Sequence, residues 1–262
     1  MLSAHNVSFG YPRASHRAVG GVSLDVSRGA FVGILGPTGS GKTTLLRLLG
    51  GLLKPSTGEV TLDERSLASW TRRELARRVA IVPQELHPAF DYTVLEMALM
   101  GRFPHLGAFA VEGPGDIAIA REALEATGAA AFEARRFSTL SGGEKQRVIV
   151  AAALAQQADI LLLDEPTASL DPGHQLDVAA VLVELNRVLG LTVVVATHDL
   201  NLAASMCAEL AMMRGGVVIA SGATQDVLTG RNLERLYDLD ADVRFHERAG
   251  RLTVVPIARR RP

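Results

Sequence analysis

Cysteine is nearly absent from this chain of 262 residues: Cys207 stands alone. One thiol excludes a disulfide framework and any cysteine-rich metal centre. Long apolar runs are also missing. Val148–Ala155 and Leu191–Ala196 are among the longest, well short of the roughly 18 residues a membrane-spanning helix needs. There is no excess of either charge, with Lys+Arg 27 against Asp+Glu 28 and a formal net charge of -1. A generic nucleic-acid binder would be visibly basic, so no nucleic-acid partner is expected. Met1–Tyr11 has neither the basic nor the apolar region that marks a chain for export. Hydrophobic residues at 48% and charged residues at 21% support a packed core and exclude disorder. A cytoplasmic globular protein is expected, with room for one large α/β domain carrying an insertion, or for two small domains.

What is present is organised by short apolar runs and glycine clusters. Ala18–Ser27 alternates as a half-buried strand does, and Arg28-Gly29 reads as a turn. Phe31–Leu35 predicts a strand that leads into a glycine cluster, followed by helix formers over Thr43–Leu49. Glu59–Leu62 and Val79–Pro83 predict further strands. From about 86 to 147 the pattern turns helical (Val94–Met100, Ile117–Ala126), with Gly/Pro-rich loops at Gly101–Gly107 and Glu112–Asp116. Ile160–Leu163 and Thr192–Ala196 read as parallel strands buried on both faces, with a helix over Leu176–Val188 between them. Gly215–Ala220 predicts a late strand, Gly222–Leu228 a turn into a helix, and 241–262 a C-terminal strand and tail ending in Arg259-Arg260-Arg261.

Three segments carry chemistry. Gly36-Pro37-Thr38-Gly39-Ser40-Gly41-Lys42-Thr43 fits G-x-x-x-x-G-K-[ST] between a strand and a helix. Glycines let backbone N–H groups approach phosphate oxygens, and the helix presents its positive end. Lys42 can reach the β- and γ-phosphates, and the Thr43 hydroxyl can ligate Mg²⁺. Lysine is scarce, found only at Lys42, Lys54 and Lys145. A chance match has odds of roughly one in 300, so a nucleotide site is the expected reading. Asp164-Glu165 ends a buried apolar run, where open α/β sheets bind ligands. Asp164 suits Mg²⁺, and Glu165 suits the orientation or deprotonation of an attacking water. His198 follows another core strand and can hydrogen-bond a γ-phosphate. Leu140-Ser141-Gly142-Gly143-Glu144 reads equally as a second anion site at a helix N-terminus and as an ordinary capping box; spacing alone leaves both open.

Taken in order, these segments resemble the ATP-binding cassette (ABC) ATPases over about residues 2–236. Gly36–Thr43 matches the Walker A loop, Ile160–Glu165 the Walker B strand and Leu140–Glu144 the signature. Gln84 matches the Q-loop, Ser169-Leu170-Asp171 the D-loop and His198 the switch histidine. Tyr11 is similar to the aromatic residue that stacks on adenine. The fifth signature position is Glu144, where Gln is commonest, and the usual Asp-Gly turn reads Asp63-Glu64.

The resemblance implies a P-loop NTPase core with an N-terminal antiparallel β subdomain and an inserted helical subdomain, the cassette spanning 1–240. It implies ATP and Mg²⁺ as cofactors. Tyr11, Gly36, Pro37, Thr38, Gly39, Ser40, Gly41, Lys42, Thr43 and Thr44 would hold the nucleotide on one side. Ser141, Gly142, Gly143, Glu144 and Asp171 of a second, head-to-tail copy would hold it on the other. Thr43, Gln84 and Asp164 would serve Mg²⁺, and Glu165, His198, Gln84 and Lys42 would serve hydrolysis. Two transmembrane permease subunits and, indirectly, a substrate-binding protein are the implied partners, at the cytoplasmic face of the cell membrane. The stretches Thr93–Glu96, Met100–Gly107, Thr197–Ala203 and the ending from Gly222 through Leu233 look like importers of iron-siderophores, haem and cobalamin. Molybdate or zinc/manganese importers share part of these patterns, and a soluble cassette of iron–sulfur cluster assembly is the alternative from another class.

Overall fold

The computed structural model describes residues 1–12, 16–107, 109–168 and 170–259. The chain opens with β1 (Leu2–Phe9), β2 (Val19–Val26), β3 (Phe31–Leu35), α1 (Lys42–Leu49), β4 (Thr57–Leu62), β5 (Arg65–Ser66) and α2 (Arg72–Ala76). Then come β6 (Val79–Val82), α3 (Val94–Leu99), α4 (Pro114–Ala126), α5 (Gly142–Ala155), β7 (Ile160–Asp164) and α6 (Pro172–Leu189). The rest is β8 (Thr192–Thr197), α7 (Leu200–Met206), β9 (Glu209–Arg214), β10 (Val217–Ala223), α8 (Thr224–Val227), α9 (Gly230–Tyr237), β11 (Leu239–His246) and β12 (Arg251–Arg259). Two compact units result: Met1–Ser69 together with Thr192–Pro262, and Trp70–Leu191.

The first unit holds an antiparallel sheet of order β2-β1-β4-β5. This is the expected N-terminal β subdomain. Its β4–β5 turn is Asp63-Glu64, both residues at positive φ (48° and 63°), so two non-glycine residues take the left-handed conformation that glycine usually supplies. β3 runs parallel to both β8 and β9, and β10 returns antiparallel to β9. Every residue of β3 and of β8 is buried, as their unbroken apolar sequences require. The late strand begins at Val217 rather than Gly215, because Gly215-Gly216, at φ 57° and 84°, form the turn before it. It also runs on to Ala223, through the stretch expected to turn. The C-terminal segment is a hairpin of two strands, β11 and β12, rather than one strand and a tail. Arg259 lies in β12, while Arg260 and Arg261 fall outside the described residues. The hairpin is tied to α7 by the Asn201 side chain: its Nδ2 donates to the Val254 carbonyl (3.1 Å), and its Oδ1 accepts from the Val254 amide (2.8 Å).

In the second unit β6 and β7 pair in parallel, and α3, α4 and α5 pack on one another. The helix expected from Ile117 starts earlier, at Pro114, where proline sits in the first turn after Gly113 and the Asp116 carboxylate accepts from the Gly113 amide (3.0 Å). Buried Arg102 ties these helices together. It reaches Asp116 Oδ1 (3.0 Å), the Ala155 carbonyl that ends α5 (2.7 Å) and Gln157 Oε1 (2.8 Å). Among the described residues no helix is long and apolar enough to cross a membrane.

Candidate functional site

The phosphate cradle follows β3 directly. Backbone contacts leave no room for a side chain at two of its glycines. A Cβ on Gly36 would fall 2.1 Å from the Met213 carbonyl oxygen, and one on Gly41 would fall 2.2 Å from that of Ala18. Gly41, at φ 102°, precedes α1 without any capping side chain, so the amides of the first helical turn are not capped from that residue. They form the positive end to which an anion binds. Lys42 is buried, and its Nζ donates to the carbonyls of Gly36 (2.8 Å) and Pro37 (3.2 Å), which folds the ammonium over the loop. The Ser40 hydroxyl is buried in the loop with no hydrogen-bond partner. An orphaned donor at the start of a helix is what a phosphate oxygen would complete.

Tyr11 lies in the same unit. Its ring meets Phe9 edge-on at 5.0 Å, and its hydroxyl is 3.3 Å from Thr44 Oγ1, the last residue of the cradle. Tyr11 is 39% exposed. His198 follows β8, exposed, and its carbonyl accepts from the Tyr237 hydroxyl (3.4 Å). Asp199 next to it caps α7 through the amides of Asn201 and Leu202.

The second unit holds the remaining candidates. Asp164 ends β7 and is buried; Glu165 follows, half-buried, at φ 50°. A glutamate in the left-handed region is strained by about 1 kcal/mol or more, and such strain concentrates where a side chain must be aimed. Gln84 lies exposed after β6. Thr43, Gln84 and Asp164 offer a hydroxyl, an amide and a carboxylate, all hard oxygen donors that suit Mg²⁺.

Ser141 is the N-cap of α5, and the capping box is formed: Glu144 Oε2 accepts from the Ser141 amide (2.7 Å), and the Glu144 amide donates to Ser141 Oγ (3.4 Å). The Ser141 amide, then its hydroxyl, with Arg135 nearby, hold the Glu144 carboxyl below its ordinary value. Gly143 has a packing reason to be glycine, since a Cβ there would meet the His174 ring at 2.5 Å. Asp171 caps α6 through the amides of Gly173 and His174. The His174 side chain, then its amide, keep the Asp171 carboxyl low. Ser169 lies outside the described residues.

Two clefts flank the segment after Gln84. One, of about 540 Å³, is lined by Gln84–Asp91, Phe137, Lys145, Gln146 and Ile149. Gln146 is buried, with its Nε2 unpartnered. The other, of about 430 Å³, is lined by Leu86, Pro88, Tyr92, Met97, Met100 and Phe103. Phe90 between them is 72% exposed.

The ABC transporter family profile matches residues 19–168, more than half of the chain. The chain belongs to the ABC transporter family. An ABC relative, the ferric enterobactin transport ATP-binding protein FepC of Escherichia coli (strain K12), is 36% identical over 261 residues, which is 100% of this chain and 96% of FepC. The cobalamin import ATP-binding protein BtuD of Halobacterium salinarum (strain ATCC 29341 / DSM 671 / R1) is 40% identical over 93% of this chain. The match covers only 61% of BtuD, so this chain spans less than two thirds of that relative's length. A solved structure described as an inward-facing conformation of a metal-chelate type ABC transporter has a TM-score of 0.86 at 29% identity, covering 98% of this chain and 97% of that one. The fold is that of an ABC cassette.

Proposed function

We propose that this chain is the ATP-hydrolysing subunit of an importer for an iron chelate, haem or cobalamin. The similarity to FepC along nearly the whole of both chains carries this reading. ATP sits with its triphosphate over Gly36–Thr44 and its adenine on Tyr11. Lys42 exchanges its carbonyl partners for β- and γ-phosphate oxygens. Thr43, Gln84 and Asp164 would hold Mg²⁺, which would supply charge neutralisation at the phosphates. Glu165 orients the attacking water and accepts its proton, and His198 holds the γ-phosphate end. A second copy, packed head to tail, offers Ser141 and Gly143 to the nucleotide held by Lys42 of the partner subunit, with two-fold symmetry making both sites equivalent. ATP closes this dimer, and hydrolysis removes the bridging charge and releases it. The dimer works from the cytoplasmic face on two membrane subunits, supplied by a substrate-binding protein.

The test is Glu165→Gln. The isosteric amide removes the base and keeps the shape. ATP binding should persist while the hydrolysis rate falls roughly 10²–10⁴-fold, and an ATP-bound dimer should accumulate in size exclusion. Turnover close to that of the unaltered chain would defeat the assignment.

A further inference from the structure

The signature of this chain carries a full negative charge where a neutral amide would cap α5 equally well. Glu144 stands in the first turn of α5, beside Ser141 and Gly143. A carboxylate there suits the helix dipole, but it also offsets the positive end that a phosphate would use. Arg135 answers that charge. Its Nη1 lies 3.4 Å from Glu144 Oε1, and its Nη2 donates to the Thr139 carbonyl (3.1 Å), two residues before Ser141.

The guanidinium is held in place rather than left to wander. It stacks over the Phe132 ring at 5.4 Å. Its backbone is fixed at both ends, the Arg135 amide donating to the Phe132 carbonyl (2.8 Å) and the Arg135 carbonyl accepting from the Val94 amide (3.0 Å). Neighbouring cations are engaged elsewhere: Arg136 with the Asp91 carbonyl, Lys145 over the Phe137 ring, Arg147 with Asp177. Among the described residues, Arg135 is the cation that pairs with Glu144.

We propose that Arg135 is a positioning residue of the signature, which neutralises Glu144 so that Ser141 and Gly143 can meet the phosphate of a nucleotide held by a second copy of this chain. The proposal rests on the head-to-tail dimer described above. Without Arg135, Glu144 would repel the incoming γ-phosphate through a partly desolvated gap.

The experiment measures ATP-driven dimerisation by sedimentation velocity in a Glu165→Gln background. Adding Arg135→Gln should weaken dimerisation about 5-fold per site, and so about 25-fold in the dissociation constant, because a two-fold dimer contains the site twice. Adding Glu144→Gln as well should return it to within about 3-fold of the parent, since the charge needing balance is gone. Arg135→Lys, which keeps charge and loses the fork, should also stay within about 3-fold of the parent. If the triple variant stays as weak as the Arg135→Gln variant, or if lysine fails as badly as glutamine, charge balance is wrong and Arg135 merely braces Thr139. A Glu165→Gln parent that does not dimerise with ATP would instead refute the dimer itself. ATP binding by dilute, monomeric Arg135→Gln protein, read with a fluorescent nucleotide, should be unchanged; its loss would also overturn the proposal.

Discussion

Single residues here answer to two demands at once. Gly143 has no space for a methyl group under His174, and the proposed function gives it a phosphate to meet. Glu165 sits in a conformation that glycine or asparagine would adopt at less cost, so a glutamate there points to a use for the carboxylate rather than to the turn. Tyr11 packs its ring against Phe9 and sets its hydroxyl near Thr44, and the proposed function gives that ring an adenine to stack on. Tyr11→Ala should therefore cost the stacking contribution, about 1–3 kcal/mol, and weaken ATP affinity about 5- to 150-fold. Tyr11→Phe or Tyr11→Trp should bind nearly normally, since the ring remains. Equilibrium titration with a fluorescent ATP analogue measures all three, and an unchanged alanine variant would mean that another group holds the base.

At the scale of elements, the second unit begins its helices with carboxylates. Glu96 accepts from the Thr93 amide at the start of α3 (2.6 Å), Asp116 from that of Gly113 at α4, and Glu144 from that of Ser141 at α5. In each case the capped amide is the main cause holding the carboxyl below its ordinary value. A depressed value in the folded state means that stability is fully present above the unfolded value, near 4.5 for glutamate and 3.8 for aspartate, and is lost as pH falls towards the folded values. The urea midpoint followed by circular dichroism should fall as pH drops from 6 to 3. A Glu96→Gln/Asp116→Asn variant should show a shallower fall, and an equal slope would rule the caps out as the cause. These caps were only partly legible in sequence. Buried strands such as β3, β7 and β8 announce themselves by β-branched and leucine runs. β9, Glu209–Arg214, did not, because its core residues are Leu210, Ala211, Met212 and Met213, most of them equally at home in a helix. β1 was hidden by irregular pairing, with register shifts between Ala4 and Val7 and between Val7 and Phe9 that break the alternation. The cradle was readable because its residue types are dictated by backbone approach. The signature was ambiguous because a capping box and an anion site use the same residues.

For the whole molecule, we propose that coupling to a membrane partner falls to the segment after Gln84. Leu86, Phe90 and Tyr92 stand between two clefts, Phe90 and Tyr92 edge to face at 6.0 Å, with the unpartnered Gln146 amide in one wall. A short helix of a membrane subunit could cover these rings and offer a carbonyl to that amide. Charged substitutions at Leu86, Phe90 and Tyr92 should leave ATPase activity of the isolated cassette within about 2-fold. In the assembled transporter they should lower uptake into membrane vesicles at least about 10-fold. Uptake that survives all three would remove the docking role. The cradle itself has a consequence for how the protein comes into being. Its walls are the Ala18 carbonyl on one side and the Met213 carbonyl on the other, and the Gly216 amide donates to Ser40 within the loop (3.0 Å). The loop thus emerges early in synthesis, while one of its walls is translated some 170 residues later. A nascent chain carries the complete phosphate motif for most of its time on the ribosome with only one of its two walls in place, and the loop gains its second wall only once β9 has been released.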